Sequence, residues 1–263
     1  MHWILYYFFV FSLGLAFGSF INAWVWRTRE KMDISWSRSI CPKCLHPIAW
    51  YDNIPFISFF ILRAKCRRCQ DKISWQYPIV EVFVALAFLF TAVWHNSSSF
   101  LPQLTVVLIR DLIIIILLTF IFLYDLKYRE ILDRVTILPS VFLIFLALSG
   151  VEGFDQTWQS LLFGVLFGAG FFFILYIISR GAWIGGGDIR LGFFMGVVLG
   201  WPNILIAFFI AYMLGAMISL VLIALKKKTM KSETAFGAYL AVGTLVSMFF
   251  ADNILNWYLG LLT

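Results

Sequence analysis

Charge is scarce in this chain of 263 residues: Asp, Glu, Lys and Arg together make up 13% of it, whereas 62% is apolar. A soluble globular domain carries about 25% charged and about 45–50% apolar residues, so that class is excluded. Catalytic signatures are missing too. There is no GxSxG turn to expose a nucleophilic serine and no HExxH to hold a catalytic zinc. The three histidines, His2, His46 and His95, fall at the terminus, in a polar loop and in a connection between apolar runs, which leaves serine chemistry without a base. Four cysteines are too few for a disulfide scaffold. The 20 Lys and Arg exceed the 14 Asp and Glu by 6, but a basic membrane protein owes such an excess to loops on one side of the bilayer. Nucleic acid is therefore not an expected partner.

What the chain has in quantity is long apolar runs. A helix crosses a bilayer with about 20 apolar residues, so about eight crossings would use the apolar total. Apolar runs cover 3–26, 79–94, 104–124, 135–150, 159–179, 189–201, 203–225 and 235–258. The expected fold is all-α, a polytopic bundle of about eight transmembrane helices. Residues 1–26 form a first span, too long for a signal-peptide core and expected to be retained. Residues 27–78 form a polar loop domain with all four cysteines and ten of the basic residues, and 79–263 form the main helical bundle. The run 189–201 is short for a crossing and is followed by Pro202, so protein or a water-filled cavity should cover its ends. Gly14 with Gly18, and Gly164 with Gly168, have the spacing that lets helices approach closely. No repeat with a period of 20 to 50 residues is visible.

With the 27–78 loop in the cytoplasm, every basic residue except Arg110 falls on that side. The connections 95–103 and 151–158 and both termini fall on the other, and none carries Lys or Arg. Arg110 is expected to snorkel from the outer end of its span. Its neighbour Asp111 is not expected to face it, since residues one apart on a helix diverge.

Cys41-Pro-Lys-Cys44 and Cys66-Arg-Arg-Cys69 are two CxxC knuckles with 21 residues between them. This spacing suits a closed four-thiolate zinc site. Lys43, Lys65, Arg67 and Arg68 favour thiolates. A pair of disulfides is the alternative, and a reducing cytoplasm argues against it. His46 offers a substitute ligand, but four sulfurs already fill a tetrahedron.

Two carboxylates stand out at the cytoplasmic border. Asp125 ends the third span, and Asp188 opens the sixth, directly after Gly185, Gly186 and Gly187. Glycines lack β-carbons, so this run turns tightly and lets another chain approach beside a carboxylate. Two such acids that meet cannot both ionise easily and share a proton. One then serves as general base on a water while its protonated partner hydrogen-bonds a scissile carbonyl. Simple helix capping is the alternative for each Asp taken alone. Asp133, beside Arg134, reads as a solvated ion pair.

Five segments in order resemble the type 4 prepilin peptidases, a bacterial branch of the GxGD membrane aspartyl proteases. They are Gly18-Ser-Phe-Ile-Asn22 with Arg27, the two knuckles with Trp50-Tyr-Asp-Asn-Ile-Pro55 between them, Tyr77-Pro-Ile-Val-Glu81, Asp125, and Gly185 to Asp188. The resemblance implies an aspartic endopeptidase of the bacterial inner membrane, with Asp125 and Asp188 catalytic. It would remove the basic leader of prepilins and pseudopilins at the cytoplasmic face. It also implies N-methylation of the new N-terminus from S-adenosylmethionine, although no GxGxG methyltransferase fingerprint is present. Glu81 and Asn22 are expected to be structural or to touch substrate or methyl donor. The chain departs from the family in having Ile131-Leu132-Asp133 for Ile-Pro-Asn, and Phe236-Gly237-Ala238 for Phe-Gly-Pro. Altered loop stiffness with retained hydrolysis is expected. A presenilin-like or signal-peptide-peptidase-like protease shares Tyr124-Asp125 and GxGD but not the zinc loop, and its Pro-Ala-Leu element is absent. A proton-coupled transporter would need polar groups continuing to the far face.

Overall fold

The computed structural model describes residues 2–34, 38–95, 102–150, 156–227 and 234–261. The connections at 96–101 and 151–155, Lys228, Lys231 and the last residues of each terminus lie outside these, as do the orientation arguments that use them. Helices dominate: α1 His2–Arg29, α2 Ile57–Ile61, α3 Gln76–His95, α4 Pro102–Tyr128, α5 Asp133–Leu148, α6 Trp158–Ser179, α7 Gly186–Leu199, α8 Asn203–Ala224 and α9 Phe236–Gly260. Among the described residues there is no strand, only the isolated bridges Ile40–Pro47 and Lys65–Lys72.

All eight apolar runs become helices, but they are not equal. Six are long and apolar enough to cross a membrane: Trp3–Arg29, Gln76–His95, Val106–Tyr128, Trp158–Ser179, Asn203–Ala224 and Phe236–Gly260. These six are the full-length candidates among the eight apolar helices. The other two, α5 with 16 residues and α7 with 14, reach only about 24 and 21 Å at about 1.5 Å per residue, short of the hydrocarbon thickness. α7 meets the expectation that protein must cover a short segment. Leu191, Phe194, Met195, Val197 and Leu199 are all buried, and α5, α6 and α9 pack around it.

The chain forms two compact units, Met1–Phe120 and Ile121–Thr263. In the first, α1 packs on α3 through its two glycines. A β-carbon on Gly14 would lie 2.5 Å from the Ala85 Cα, and one on Gly18 would lie 2.5 Å from the Glu81 Cα. Only glycine permits this backbone contact. Polar groups are closed off at the loop end of the pair: Gln76 Nε2 donates to Asn22 Oδ1 at 2.9 Å, and Asn22 Nδ2 donates to the Tyr77 carbonyl at 3.3 Å. Arg27, buried at the end of α1, donates to the Ile34 and Arg38 carbonyls at 2.9 and 3.0 Å and so ties down the entry to the loop.

Asp111 overturns its expectation. Arg110 Nε donates to Asp111 Oδ1 at 2.8 Å, and His95 Nε2 lies 2.8 Å from Asp111 Oδ2. Diverging Cα–Cβ directions do not prevent this, because the arginine stem is long enough to curl back to its neighbour. Burial of Asp111 favours two cationic or N–H partners over one.

In the second unit, α6 and α7 interlock through Gly164 and Gly168 against Gly196 and Gly192, where added β-carbons would overlap backbone carbonyls. α8 and α9 pack closely where Gly243 meets the Ala207 carbonyl. The glycine pairs are therefore packing devices, as their spacing implies, and they hold α7 in place.

Candidate functional site

The first candidate constellation is the cysteine loop. Each knuckle is a tight hairpin with the same hydrogen bonds. Cys41 N–H donates to His46 O at 3.0 Å and Leu45 N–H to Cys41 O at 2.9 Å; Cys66 N–H donates to Asp71 O at 2.9 Å and Gln70 N–H to Cys66 O at 3.0 Å. Leu45 and Gln70 both take left-handed conformations, with φ of 55° and 58°. Ile48 N–H bonds Ser39 O, and Ile73 N–H bonds Ala64 O, both at 2.7 Å. The second hairpin thus repeats the first at an offset of 25 residues, from Cys41 to Cys66. The repeat is one of backbone geometry, not visible as a repeat in the sequence. The copies share little beyond C-x-x-C-x-x-x-Ile, too little for composition to reveal.

The two hairpins bring all four sulfurs within 4.8 Å of one another. Cys41 Sγ and Cys69 Sγ are 3.9 Å apart. A tetrahedral ion with metal–sulfur bonds of about 2.3 Å needs sulfurs about 3.8 Å apart, so the set fits. A disulfide needs about 2.05 Å, and the four cysteines are free. N–H groups of Cys69 and Arg68 pull the Cys66 thiol down to about 7. Cys69 has the Asp71 N–H lowering it, but burial and the neighbouring thiols outweigh that and push it up to about 11. His46 is not a ligand here, its ring lying against the Arg68 guanidinium. Arg67 holds Asp52 through two bonds of 2.7 Å, which joins the second hairpin to the turn Trp50–Asp52.

The second constellation lies wholly within Ile121–Thr263. Asp125 sits near the end of α4 and is buried. Its Oδ2 accepts the Ala238 N–H at 2.8 Å, and the Gly237 N–H lies near the same carboxylate. These are donors in the first turn of α9, whose N-cap, Ala235, supplies no side-chain cap. Asp125 thus caps a helix from another part of the chain, a favourable place for a carboxylate because orphan N–H groups and the helix dipole point there. Gly237 makes this possible: a β-carbon there would lie 3.0 Å from Asp125 Oδ2 and 2.9 Å from Ile131 Cδ1.

Asp188 lies in the first turn of α7, its N–H bonded to Gly185 O at 3.1 Å. A β-carbon on Gly187 would lie 3.1 Å from the Ile131 Cβ, whereas one on Gly186 would meet nothing within 4 Å. Ile131 is therefore wedged between Gly187 and Gly237, the residues next to Asp188 and next to Asp125's donor. Ile131 thereby joins the surroundings of the two aspartates. Tyr239 lies in the field of Asp125 and Tyr212 in the field of Asp188. At the rim, Asp133 pairs with Arg190 instead of Arg134, both exposed. The expected ion pair is present with a different partner, because α7 presents Arg190 two residues past Asp188.

Sequence reasoning missed five residues of this site: Gly237 and Ala238 with their N–H groups, the Ile131 wedge, and the tyrosines Tyr212 and Tyr239. Phe236-Gly237-Ala238 was legible only as a missing proline. That position also supplies an N–H, which proline lacks.

An α-helical membrane protein carrying two aspartates on either side of one wedged isoleucine and a four-cysteine loop is the class these features define. Residues 12–95 match the model of the bacterial peptidase A24 N-terminal domain, and residues 112–220 match the type IV leader peptidase family. The chain belongs to the type IV leader peptidase family. Three proteins named prepilin leader peptidase/N-methyltransferase are similar to it. That of Vibrio cholerae is 31% identical over 74% of this chain and 78% of the relative. The Bacillus subtilis protein is 28% identical over 95% and 96%, and the Aeromonas salmonicida protein 29% over 97% and 94%. No solved structure matches the chain.

Proposed function

We propose that this chain is a membrane aspartic endopeptidase that removes the leader of prepilins and pseudopilins and then methylates the new N-terminus. Cleavage rests on Asp125 and Asp188. One observation carries this: a single side chain, Ile131, lies against both Gly187, next to Asp188 of α7, and Gly237, against Asp125 of α4, so residues far apart in sequence gather within one compact unit beside a glycine turn that is open at Gly186. Relatives at 28–31% identity bearing the peptidase and methyltransferase name support it. Neither the presenilin-like nor the transporter reading is favoured by that family membership.

The chemistry follows from the pair. One carboxylate takes a proton from water as the oxygen attacks the scissile carbonyl, while the protonated partner hydrogen-bonds that carbonyl and passes its proton to the departing amine. Asp125 is fixed in place by the α9 N–H groups and has little freedom. Asp188, on the glycine turn, is the member that a substrate backbone passing Gly185 and Gly186 meets first. Gly185, Gly186 and Gly187 thus form the substrate-binding loop of this reading. The bacterial inner membrane is its location, with the cysteine loop cytoplasmic and both termini outside.

Zinc is the metal this reading places on Cys41, Cys44, Cys66 and Cys69. Bound there, it would close two hairpins that have little core of their own, a structural role with no open coordination position. S-adenosylmethionine is the methyl donor the family implies. Among the described residues no glycine-rich turn follows a strand, a common cradle for an adenosyl group, so the donor is assigned no residues and no step runs through it. The test is mass spectrometry of a prepilin incubated with the purified chain. Loss of leader and a gain of one methyl are expected with the wild type, and an uncut prepilin with Asp125→Ala or Asp188→Ala. Normal cleavage by either variant refutes the dyad.

A further inference from the structure

The loop between α1 and α3 carries a hydrophobic face that neither the dyad nor the knuckles use. In α2, only Ser58 is polar, and it turns inward to donate to the Tyr51 carbonyl at 3.0 Å. Phe59 is buried. The remaining side chains point out: Ile57 is 53% exposed, Phe60 51% and Ile61 65%, joined by Trp75 at 60%. They form one continuous surface, with Phe56–Phe60 ring centroids 4.9 Å apart, Phe59–Trp75 4.8 Å and Phe60–Trp75 6.3 Å. Contiguous apolar surface of this kind marks a contact.

Two observations place that contact at the membrane. α3 has 20 residues, so at about 1.5 Å per residue it needs its full length to cross about 30 Å of hydrocarbon. Trp75 immediately precedes it and so sits at the border, where tryptophan is favoured. Phe56 is held at the same level, since its N–H donates at 2.7 Å to Oε2 of Glu81, a buried carboxylate in the early turns of α3. Helical side chains lean toward the N-terminus, which brings the Glu81 carboxylate back toward that border. Charge supplies a third argument. The loop 27–78 holds ten basic and four acidic residues, the whole net charge of +6, and the rest of the chain is neutral. Arg63 and Lys65, both exposed, follow α2 directly.

We propose that α2 and Trp75 form an interfacial anchor that lies in the leaflet of the protein's own membrane on the loop side. Phe60, Ile61 and Trp75 enter the acyl boundary, and Arg63 and Lys65 meet anionic headgroups. Glu81 becomes the tether that fixes the anchor's depth, and the cysteine hairpins are held down on the bilayer. The anchor depends on the chain being a membrane protein, not on the dyad.

The test uses the full chain in nanodiscs, with a photoreactive benzoylphenylalanine replacing Phe60 or Ile61. These side chains are exposed, so the probe needs no room in the core, and metal content reports that the loop is folded. Irradiation in discs containing phosphatidylglycerol should give phospholipid adducts at both positions and none for a probe at Lys43. Arg63→Glu with Lys65→Glu should lower the yield severalfold in anionic discs and leave it unchanged in phosphatidylcholine discs. Probes that label a second copy of the chain or a co-reconstituted prepilin instead of lipid overturn the anchor. A yield indifferent to the charge reversal overturns the headgroup contact. Cleavage by Asp188→Ala is irrelevant to every outcome, so the two proposals fail separately.

Discussion

The cysteine loop and the aspartate site both gather like groups at a point, but they do so over different lengths of chain. Each hairpin closes within a few residues through backbone bonds to its own carbonyls, and the two copies meet after 25 residues. The aspartates come from α4 and α7, and their support comes from α9 and from Ile131 ahead of α5. A local device tolerates much in its surroundings. A long-range one depends on helix packing, here on glycines at the α6–α7 and α8–α9 crossings.

This difference yields opposite expectations for substitution. Asp188→Ala should lower prepilin cleavage by about a thousandfold or more, the scale of lost general acid–base catalysis, yet leave four-thiolate metal binding intact in elemental analysis. Cys41→Ser with Cys66→Ser should do the reverse. The metal is lost, the 38–75 segment becomes sensitive to added protease, and a substantial part of the cleavage survives. Equal damage to both readouts by either variant would show the contrast to be false.

Gly237→Ala tests the packing side of the contrast. The added methyl needs space held by Asp125 Oδ2 and Ile131 Cδ1, so the carboxylate must shift by a fraction of an ångström or more. Misplacement of about 1 Å can cost about a hundredfold in rate, so kcat should fall by up to that factor. Thermal stability should change little by comparison. Ala238→Pro is milder. It removes one donor to Asp125 but keeps the Gly237 N–H, and proline is tolerated in a first helical turn. A hydrogen bond to a charged group contributes about 1.5–3 kcal/mol, partly shared here with the second donor, so a loss of about tenfold is the expected ceiling. Unchanged kinetics would mean that the Ala238 bond is incidental.

The legibility of each part follows the same division. Hydropathy alone revealed the helical class and all eight apolar segments, because burial in lipid demands long unbroken runs. It could not separate the six full-length segments from α7, whose apolar side chains are largely buried within the protein. Spacing was enough for Cys41, Cys44, Cys66 and Cys69, which are close along the chain. Asp125 and Asp188 could be marked as candidates by their position at helix ends. What holds Asp125 could not be read, because a backbone N–H has no letter in the sequence. The failure at Arg110 and Asp111 has the same origin: helical geometry describes where a Cβ points and says little about where a flexible guanidinium ends.

The smallest expected effect belongs to the cysteine loop and separates its polar staple from its set of four thiols. The Arg67 guanidinium beside Asp52 holds that carboxyl below the usual carboxylate range. A depressed acid stabilises the fold fully above its unfolded value of about 3.9, and the contribution fades as pH falls through the lower folded value. Asp52→Asn should therefore speed amide hydrogen exchange across the turn Trp50–Asp52 and the second hairpin at pH 7, only slightly because Arg67 is largely exposed. The gap between variant and wild type should narrow as the pH drops below 4. Acid also strips metal from thiolates, but it does so in both proteins, so the difference between them isolates the staple. A gap that widened in acid would mean that Asp52 serves the hairpins through its neutral form, contrary to the two bonds it accepts from Arg67.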